Sequence, residues 1–408
     1  MVTIYSRATA NAQENPTSGK MLFFYVNGMN RRNKVLVVTP TLGDTKDSRR
    51  IDLIKSAGFS VQAAAFDRGS AQARPASCEV ITLARISDGN YLARLFRFAG
   101  AIAKLRKLCK SASIVHSMSP DLTGLCHLAC IGLQPKLVSD VADIREIQIS
   151  HTPTSALLRS IEAYISIKSD LLIVTSKGFI DWYFNEKLKI KPKNFLVIEN
   201  KLDESSPPHR ASTTSKKIRI GYFGCLRSNW TIKLLLELLK SYPDKFEIHT
   251  AGVDMLDEYD LIETSKRVKG FNYLGPYKSP EDLPQMYSRI DLSAIFYPDN
   301  NDKIDSFVAK AICRSNRFYE ACKFQIPIIS FSFCGDGLEV ENLKNGLTID
   351  TFNIKEAAKS IKEQLTEHNL KYWKQRSREI PREVYLLVKE AHNLKLRYQA
   401  LLKSKPII

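Results

Sequence analysis

Short apolar runs, each followed by a turn and a segment with helical spacing, recur through both halves of the chain. Examples are Val35–Thr39 and Asp170–Ser176 in the first half, and Ile218–Phe223 and Ile326–Phe331 in the second. Such runs are typical of interior strands of parallel sheets, which helices cover on both faces. Because 408 residues exceed the usual size of a single core, the pattern predicts two doubly wound α/β domains.

The composition predicts where these domains begin and end. We expect residues 1–33 to form a loose leader and residues 204–217, which are rich in Ser, Thr and Pro, to form a linker. Residues 34–203 and 218–369 would then form the two α/β domains. Residues 370–408 would form a Lys- and Arg-rich helical tail.

The bulk composition restricts the setting and the partners. The net charge of +17 favours an anionic partner, which could be nucleic acid, a membrane surface or a nucleoside diphosphate. The aromatic residues are not interleaved with basic ones, which argues against nucleic acid. The eight cysteines contain no CxxC pair and fit a reduced, cytoplasmic protein. We expect no transmembrane helix, since no apolar run reaches about 18 residues.

One segment, Ser315–Phe331, carries the clearest chemical signal. Residues 316–324 are predicted to form a helix and Ile326–Phe331 a buried strand, and Glu320 lies among apolar neighbours on the helix. A helix N-terminus beside a strand end favours phosphates. A carboxylate one turn deeper could accept hydrogen bonds from ribose hydroxyls. The alternative is an ordinary helix–strand unit in which Glu320 is a solvated surface residue.

This segment resembles the donor-site motif of retaining nucleotide-sugar glycosyltransferases with the GT-B fold, especially glycosyltransferase family 4. The shared pattern is a polar residue, Lys or Arg, an aromatic residue or Leu, Glu-Ala, a turn, and Pro before a β-branched strand. The resemblance implies two Rossmann-like domains that face a cleft, the first for the acceptor and the second for the nucleotide sugar. It also implies that Glu320 contacts the ribose and that the last helix returns to the first domain.

The resemblance extends to the loop after Ile218–Gly224. Gly224 permits close backbone approach to a diphosphate, a helix follows, and Arg227 lies on the loop. The resemblance implies that Arg227 grips the phosphates and stabilises the departing diphosphate, a role that requires no metal. The remaining residues of the implied donor site are Asn316, Arg317 and Gly335.

The sequence departs from the family pattern at two places. The Lys-Gly pair that usually follows the phosphate-binding Arg is replaced near Ser228-Asn229-Trp230. The family also carries two Glu residues with seven residues between them, and the first would fall at Ile312. The polar segment Asp299–Lys303 could do part of the work of that Glu. The second departure leaves open whether the reaction retains the configuration of the sugar.

Polar residues after the first-half strands are candidates for the acceptor side. Asp44 and Asp143 follow strand ends and could bind sugar hydroxyls, although either could instead cap a helix. We expect Asp47 or Ser48 to cap a helix that begins near Arg49.

A histidine at another strand end is a further candidate. His116 ends a short apolar strand, and the resemblance places it near the acceptor side of the cleft as a candidate catalytic group. A lone histidine at a strand end is more often a structural hydrogen-bonding residue.

Residues 90–110 are predicted to form a basic amphipathic helix. Apolar residues mark one face at helical spacing, and the segment contains six Lys and Arg residues and no acidic residue. Such a helix suits an anionic membrane surface. The alternative is a surface helix whose charged face is only solvated.

The combined expectation is a hexosyl transfer from a nucleotide sugar to a glycan or lipid-linked acceptor in bacterial capsule, exopolysaccharide or lipopolysaccharide synthesis. We expect a retaining, metal-independent enzyme with no cofactor, cytoplasmic and peripherally bound to the inner face of the plasma membrane. One alternative is a nucleotide-sugar 2-epimerase or hydrolase on the same fold. Another is a non-catalytic nucleotide-sugar-binding protein.

Overall fold

The computed structural model describes residues 33–41, 43–67, 76–85, 91–203, 216–258, 260–297, 308 and 311–404, except for the side chains of Thr45 and residues 91–99. Nearly all of the expected leader, most of the expected linker and residues 299–303 of the polar segment lie outside the described residues. Within the described residues, no helix combines the length and the apolar character needed to span a bilayer.

The first domain is built on a seven-stranded, fully parallel sheet in the order β3-β2-β1-β4-β5-β6-β7. Its strands are β1 Lys34–Thr39, β2 Ser60–Asp67, β3 Val80–Arg85, β4 Ile114–Ser117, β5 Lys136–Val141, β6 Leu171–Val174 and β7 Phe195–Val197. The order reverses between β1 and β4, and ligands of such sheets bind at the carboxyl ends of strands around this point.

Helices cover both faces of this sheet. They are α1 Thr45–Ser56, α2 Tyr91–Cys109, α3 Pro120–Ala129, α4 Glu146–Ile149 and α5 Pro153–Lys168, followed by a π-helical segment, Phe179–Lys187. Side chains alternate across a strand, so Val35 and Val37 of β1 pack with α1. Leu36 and Val38 pack on the opposite face with α2 and α3. A strand buried on both faces explains the continuous apolar run.

The second domain repeats this plan. Its six parallel strands lie in the order β10-β9-β8-β11-β12-β13. The strands are β8 Ile218–Phe223, β9 Phe246–Ala251, β10 Phe271–Tyr273, β11 Leu292–Ile295, β12 Ile328–Phe331 and β13 Gly346–Ile349. The helices are α6 Asn229–Ser241, α7 Leu261–Ser265, α8 Leu283–Ser288, α9 Asn316–Lys323, α10 Gly335–Leu343, α11 Ile354–Gln364, α12 Glu367–Arg378, α13 Arg382–Tyr385 and α14 Val388–Lys403.

The chain crosses between the domains twice, and the two crossings are hydrogen-bonded to each other. The Leu202 amide donates to the Tyr385 carbonyl at 2.8 Å, and the Leu387 amide donates to the Leu202 carbonyl at 3.0 Å. Beyond the crossing, Tyr398 and Leu401 of α14 belong to the core of the first domain. The last helix therefore ties the first domain to the end of the second.

The first helix begins earlier than predicted. Asp44, and neither Asp47 nor Ser48, is its N-cap: the Asp44 backbone is extended, and its carboxylate accepts hydrogen bonds from the amides of Lys46 at 2.8 Å and Asp47 at 3.3 Å. A carboxylate that bonds the amides of the first turn removes unsatisfied donors there. Asp47 is left inside the first turn and is buried.

Candidate functional site

Helix α9, which carries the predicted donor motif, is fixed at its N-terminus by a buried carboxylate. Ser315 is the N-cap, and its hydroxyl accepts from the Phe318 amide at 3.1 Å. The same hydroxyl donates to Asp336 at 2.8 Å, and the Ser315 amide donates to Asp336 at 3.1 Å. Burial raises the pKa of Asp336 to about 6, against these hydrogen bonds. Asp336 thereby holds the start of α9 against α10.

Glu320 lies on the next turn of α9 and is 6% exposed. The Tyr287 hydroxyl donates a 3.0 Å hydrogen bond to Oε2, whereas no donor to Oε1 lies among the described residues. Burial raises the pKa of Glu320 to about 7, and the nearby charges of Arg49 and Arg317 oppose that rise. A buried carboxylate with one free oxygen can accept hydrogen bonds from neutral hydroxyls.

Arg317 lies one turn before Glu320 and faces two tyrosine rings. Its guanidinium carbon lies 4.9 Å from the ring centre of Tyr222 and 5.5 Å from that of Tyr297. Its Nη1 atom is buried and has no hydrogen-bond partner within the part of the chain that the structure describes. A buried nitrogen of a permanently charged group can donate to an anionic ligand, and arginine suits such a role.

Gly224 brings the backbone of the β8 loop beside this arginine. A Cβ atom at Gly224, where φ is +110°, would lie 3.7 Å from Arg317 Nε. A Cβ atom at Gly252, at the end of β9, would lie 1.6 Å from the Gly224 carbonyl oxygen, so this approach requires glycine. The Gly224 backbone therefore lies beside the Arg317 side chain.

Arg227 occupies a different environment from Arg317. It is exposed and comes directly before Ser228, the N-cap of α6. Arg227, which is predicted to bind the phosphates, thus lies at the exposed rim of the candidate site, next to a helix N-terminus. The two arginines follow different strands, β8 and β11, which are neighbours in the sheet.

Two further predicted donor residues lie at helix N-termini. Asn316 is the first residue of α9, is exposed, and accepts a 3.2 Å hydrogen bond from Arg49 Nη2 of the first domain. Gly335 is the first residue of α10, and a Cβ atom there would lie 3.1 Å from the Cys313 carbonyl oxygen. This contact of Arg49 between the two domains was not predicted, because the sequence around Arg49 is that of an ordinary basic helix start.

The position of the missing first Glu lies against the first domain. A Cβ atom at Gly178 would lie 2.7 Å from Ile312 Cβ, and the Ser176 hydroxyl donates to the Ile312 carbonyl at 2.7 Å. The apolar residue thus packs at the domain interface, where a carboxylate would be desolvated. This explains locally why an isoleucine suits the position.

The two acceptor candidates lie near the start of α1. Asp44 is the exposed N-cap, and Asp143, which is 68% exposed, forms an ion pair with Lys46. Between them, Asp47 is 3% exposed, and its buried Oδ2 atom lacks a partner among the described residues. Burial, followed by the charge of Asp44, raises the pKa of Asp47 to about 8. The start of α1 thus carries two exposed acidic side chains and one buried carboxyl group whose pKa is raised.

His116 is enclosed in the core of the first domain. Its side chain has no exposed surface; Nε2 donates to Asp140 at 3.0 Å, and Nδ1 accepts from the Tyr398 hydroxyl. Burial would raise the pKa of Asp140, but the charge of Arg50 at 2.7 Å and the His116 hydrogen bond hold it below its ordinary value. No ring nitrogen is left for a substrate, so the geometry gives His116 a structural role and does not support the predicted catalytic one.

This geometry gives a testable expectation for His116. Replacing His116 by alanine should lower the free energy of unfolding by about 3 kcal/mol, because it opens a cavity and leaves Tyr398 and Asp140 with one partner fewer. Nucleotide affinity should change less than about twofold. Urea unfolding measures the first quantity and calorimetry the second. A stable variant with lost turnover would instead support the catalytic role.

No family model matches the chain. The succinoglycan biosynthesis protein ExoL of Rhizobium meliloti is 25% identical over 316 residues, which cover 72% of this chain and 76% of ExoL. This similarity extends over both domains.

Solved structures resemble this one over nearly their whole length. Sucrose-phosphate synthase from Thermosynechococcus elongatus has a TM-score of 0.70 at 13% identity and covers 91% of this chain and 100% of its own. HepE of Anabaena, in complex with UDP and glucose, has a TM-score of 0.65 at 14% identity, with 90% and 99% covered. WaaG, a glycosyltransferase involved in lipopolysaccharide biosynthesis, has a TM-score of 0.59 at 14% identity, with 91% and 100% covered.

This chain has the GT-B fold. Two parallel doubly wound sheets and whole-length similarity to solved GT-B structures confirm the fold class predicted from the sequence. In this fold, the carboxyl ends of the strands of both domains face the cleft. Gly224 directly follows β8, and Arg317 and Glu320 lie on α9, between β11 and β12.

Proposed function

We propose that this protein transfers a hexosyl group from a nucleotide sugar to a glycan or lipid-linked acceptor in the synthesis of a bacterial surface polysaccharide. The observation that carries the proposal is the buried, unpartnered guanidinium nitrogen of Arg317 beside Gly224, with Glu320 one turn deeper. The guanidinium fits a diphosphate, and the carboxylate fits the ribose hydroxyls. The similarity to ExoL supports a polysaccharide setting, and HepE binds UDP and glucose on the same fold.

The structure supports separate roles for the two arginines. Arg317, which is held between tyrosine rings, positions the diphosphate at no further cost in side-chain entropy. Arg227, at the rim, adds positive charge as negative charge develops on the leaving group. The bond between the sugar C1 and the diphosphate oxygen breaks, the acceptor oxygen forms the new bond to C1, and the proton of the acceptor hydroxyl passes to the leaving diphosphate. The N-termini of α9 and α10 add favourable dipoles there.

The first domain would supply the acceptor wall. Asp44 and Asp143 are exposed around the start of α1 and can accept hydrogen bonds from sugar hydroxyls, and the buried, protonated Asp47 completes this wall. Lys46, paired with Asp143, limits the net negative charge of this wall. We propose that transfer proceeds with retention and requires no metal or cofactor, since Arg317, Arg227 and the helix N-termini provide the charge stabilisation.

The test is nucleotide release from a panel of UDP-, GDP- and ADP-sugars, with and without a membrane extract. We expect release from one donor to require the extract, to survive EDTA, and to give a product whose anomeric configuration matches that of the donor. Release without the extract would indicate a hydrolase or 2-epimerase. Nucleotide binding without release under any condition would indicate a binding protein.

The surroundings of the basic helix bear on the predicted membrane contact. Within the described side chains of α2, Ala101, Leu105 and Cys109 are buried in the core of the first domain. Lys107 and Lys110 are exposed. This part of the helix can therefore contribute positive charge at an anionic, cytoplasmic membrane face, but its buried apolar residues cannot insert into it.

A further inference from the structure

Helix α5 presents its apolar side chains to solvent. Leu157, Ile161, Tyr164 and Ile167 are 62%, 47%, 65% and 56% exposed. Residues at these spacings lie on one face of a helix. We call these four residues the α5 stripe. A surface helix normally turns such a stripe toward the core, so its exposure requires an explanation.

The opposite face of α5 is mainly polar, yet it is the buried one. Ser155, Glu162 and Ser166 are buried there with Ile165. Glu162 Oε2 accepts hydrogen bonds from the Tyr183 hydroxyl at 2.6 Å and from Gln148 at 2.7 Å. These interactions fix which way the helix faces. Rotating α5 to bury the stripe would expose Tyr183 and break these hydrogen bonds. The fold therefore holds the stripe toward solvent.

The apolar surface continues onto the end of α3. Leu128 and Ile131 are 55% and 66% exposed. The two helices pack closely enough that a Cβ atom at Gly124 of α3 would lie 3.1 Å from Ile165 of α5. The exposed apolar side chains therefore belong to two adjacent helices on one face of the first domain.

The charged groups at the carboxyl ends of α3 and α5 are positive. Lys168 ends α5 and is exposed, and Arg106 donates to the Ile131 carbonyl at 2.6 Å. The acidic residue of α5, Glu162, is buried. At the amino end of α3, Asp121 forms an ion pair with Arg145 at 2.8 Å. An apolar stripe beside basic groups matches the interface of an anionic bilayer, where apolar side chains insert and Lys and Arg meet the headgroups.

We propose that the α5 stripe docks on an anionic lipid surface. A second copy of the chain is disfavoured as the occupant, because a symmetric contact would bring the same basic groups together. The proposal goes beyond the transfer reaction. It rests on the proposed function only where it explains docking as access to a lipid-linked acceptor. Docking through α5 would hold the acceptor wall of the first domain near the membrane.

The test is flotation of the purified full chain with vesicles of phosphatidylcholine, alone or with about one third phosphatidylglycerol. The test variant combines Ile161→Ser, Tyr164→Ser and Ile167→Ser. The control is Leu396→Ser, which removes a side chain 53% exposed on α14. We expect the wild type and the control to bind the anionic vesicles, and the triple variant to bind about 30-fold more weakly. Adding Lys168→Glu to the wild type should weaken binding and reduce its salt dependence.

Failure to bind by the wild type, or equal binding by the triple variant, would overturn the proposal. If the wild type is a dimer that does not bind vesicles and the triple variant is a monomer, the stripe contacts a second copy of the chain. That result would also overturn the proposal. Nucleotide binding is measured on the same preparations. Its retention in the triple variant excludes unfolding, and its absence from the wild type counts against the proposed transfer and not against docking.

Discussion

Replacing Arg317 by methionine should weaken binding of the nucleoside diphosphate by about 100-fold, which corresponds to roughly 3 kcal/mol. Methionine keeps an unbranched stem between Tyr222 and Tyr297 but removes the buried Nη1 donor and its charge. Removing a desolvated cation from an anion site costs more than removing an exposed one. Titration calorimetry with the nucleotide that the release assay identifies measures the effect.

The matched control is Arg227→Met. Because Arg227 is exposed at the rim, we expect only about a fivefold loss of affinity, and one that shrinks at high salt. Arg317→Lys should recover part of the loss, since it restores the charge without the planar group. If Arg227→Met proves the more damaging change, Arg227 is the main phosphate ligand, as the family resemblance implies. A lowered melting temperature for Arg317→Met alone would show that the arginine serves packing.

Replacing Glu320 by glutamine should remove a pH dependence of donor affinity. The pKa of Glu320 is raised to about 7 by burial, and only the ionised carboxylate accepts from both ribose hydroxyls with its full charge. Wild-type affinity should therefore rise between about pH 6 and pH 8. The variant should show a flat profile and bind about 30-fold more weakly at the upper end. Calorimetry across this range measures both.

The same substitution should make the protein more stable at high pH. The native carboxyl keeps its proton between its ordinary pKa of 4.5 and about 7, while the unfolded chain has lost it. Stability therefore falls as the pH rises through this window, and the cost of the buried charge is fully present above it. Glu320→Gln avoids that cost. Urea unfolding of the two proteins at the upper end would show the gain, and an equally stable variant would contradict the buried charge.

Other titratable groups surround Glu320. Tyr277 and Tyr287 face it and have a raised pKa, chiefly through burial, so they stay neutral in the range measured. Burial lowers the pKa of Lys323. In the first domain, Asp47 titrates near the upper end of the range. A profile that persists in Glu320→Gln and disappears in Asp47→Asn would assign the dependence to the acceptor wall.

Several features followed from the sequence because they depend on local patterns. The continuous run of β1 reflects burial on both faces, and the interval between such runs is that of a parallel sheet with crossover helices. The segment around Glu320 combines a helix start, a polar cap and a buried strand within one short stretch. The two α/β domains predicted from these patterns, and the GT-B fold implied by the family resemblance of this segment, are confirmed.

Local sequence patterns did not predict the N-cap of α1 or the contacts of His116, which depend on how the chain packs. Asp44 caps α1 instead of Asp47, because the helix begins at Thr45 and Asp47 is buried within its first turn. His116 was predicted as a candidate catalytic group. In the structure, Tyr398 of α14, far along the chain, is hydrogen-bonded to its ring. No spacing rule connects residues whose contact depends on the return of the last helix.

The sequence by itself determined the two α/β domains and the segment on which the donor site should lie, since periodicity and turn chemistry act over a few residues. Only the tertiary structure decided which side chains face the cleft and which face solvent. The burial of the Arg317 guanidinium nitrogen, the hydrogen bond from Arg49 to Asn316 and the outward stripe of α5 all depend on packing between segments far apart in the chain. The physical reason is that burial and hydrogen-bond satisfaction are properties of the assembled core.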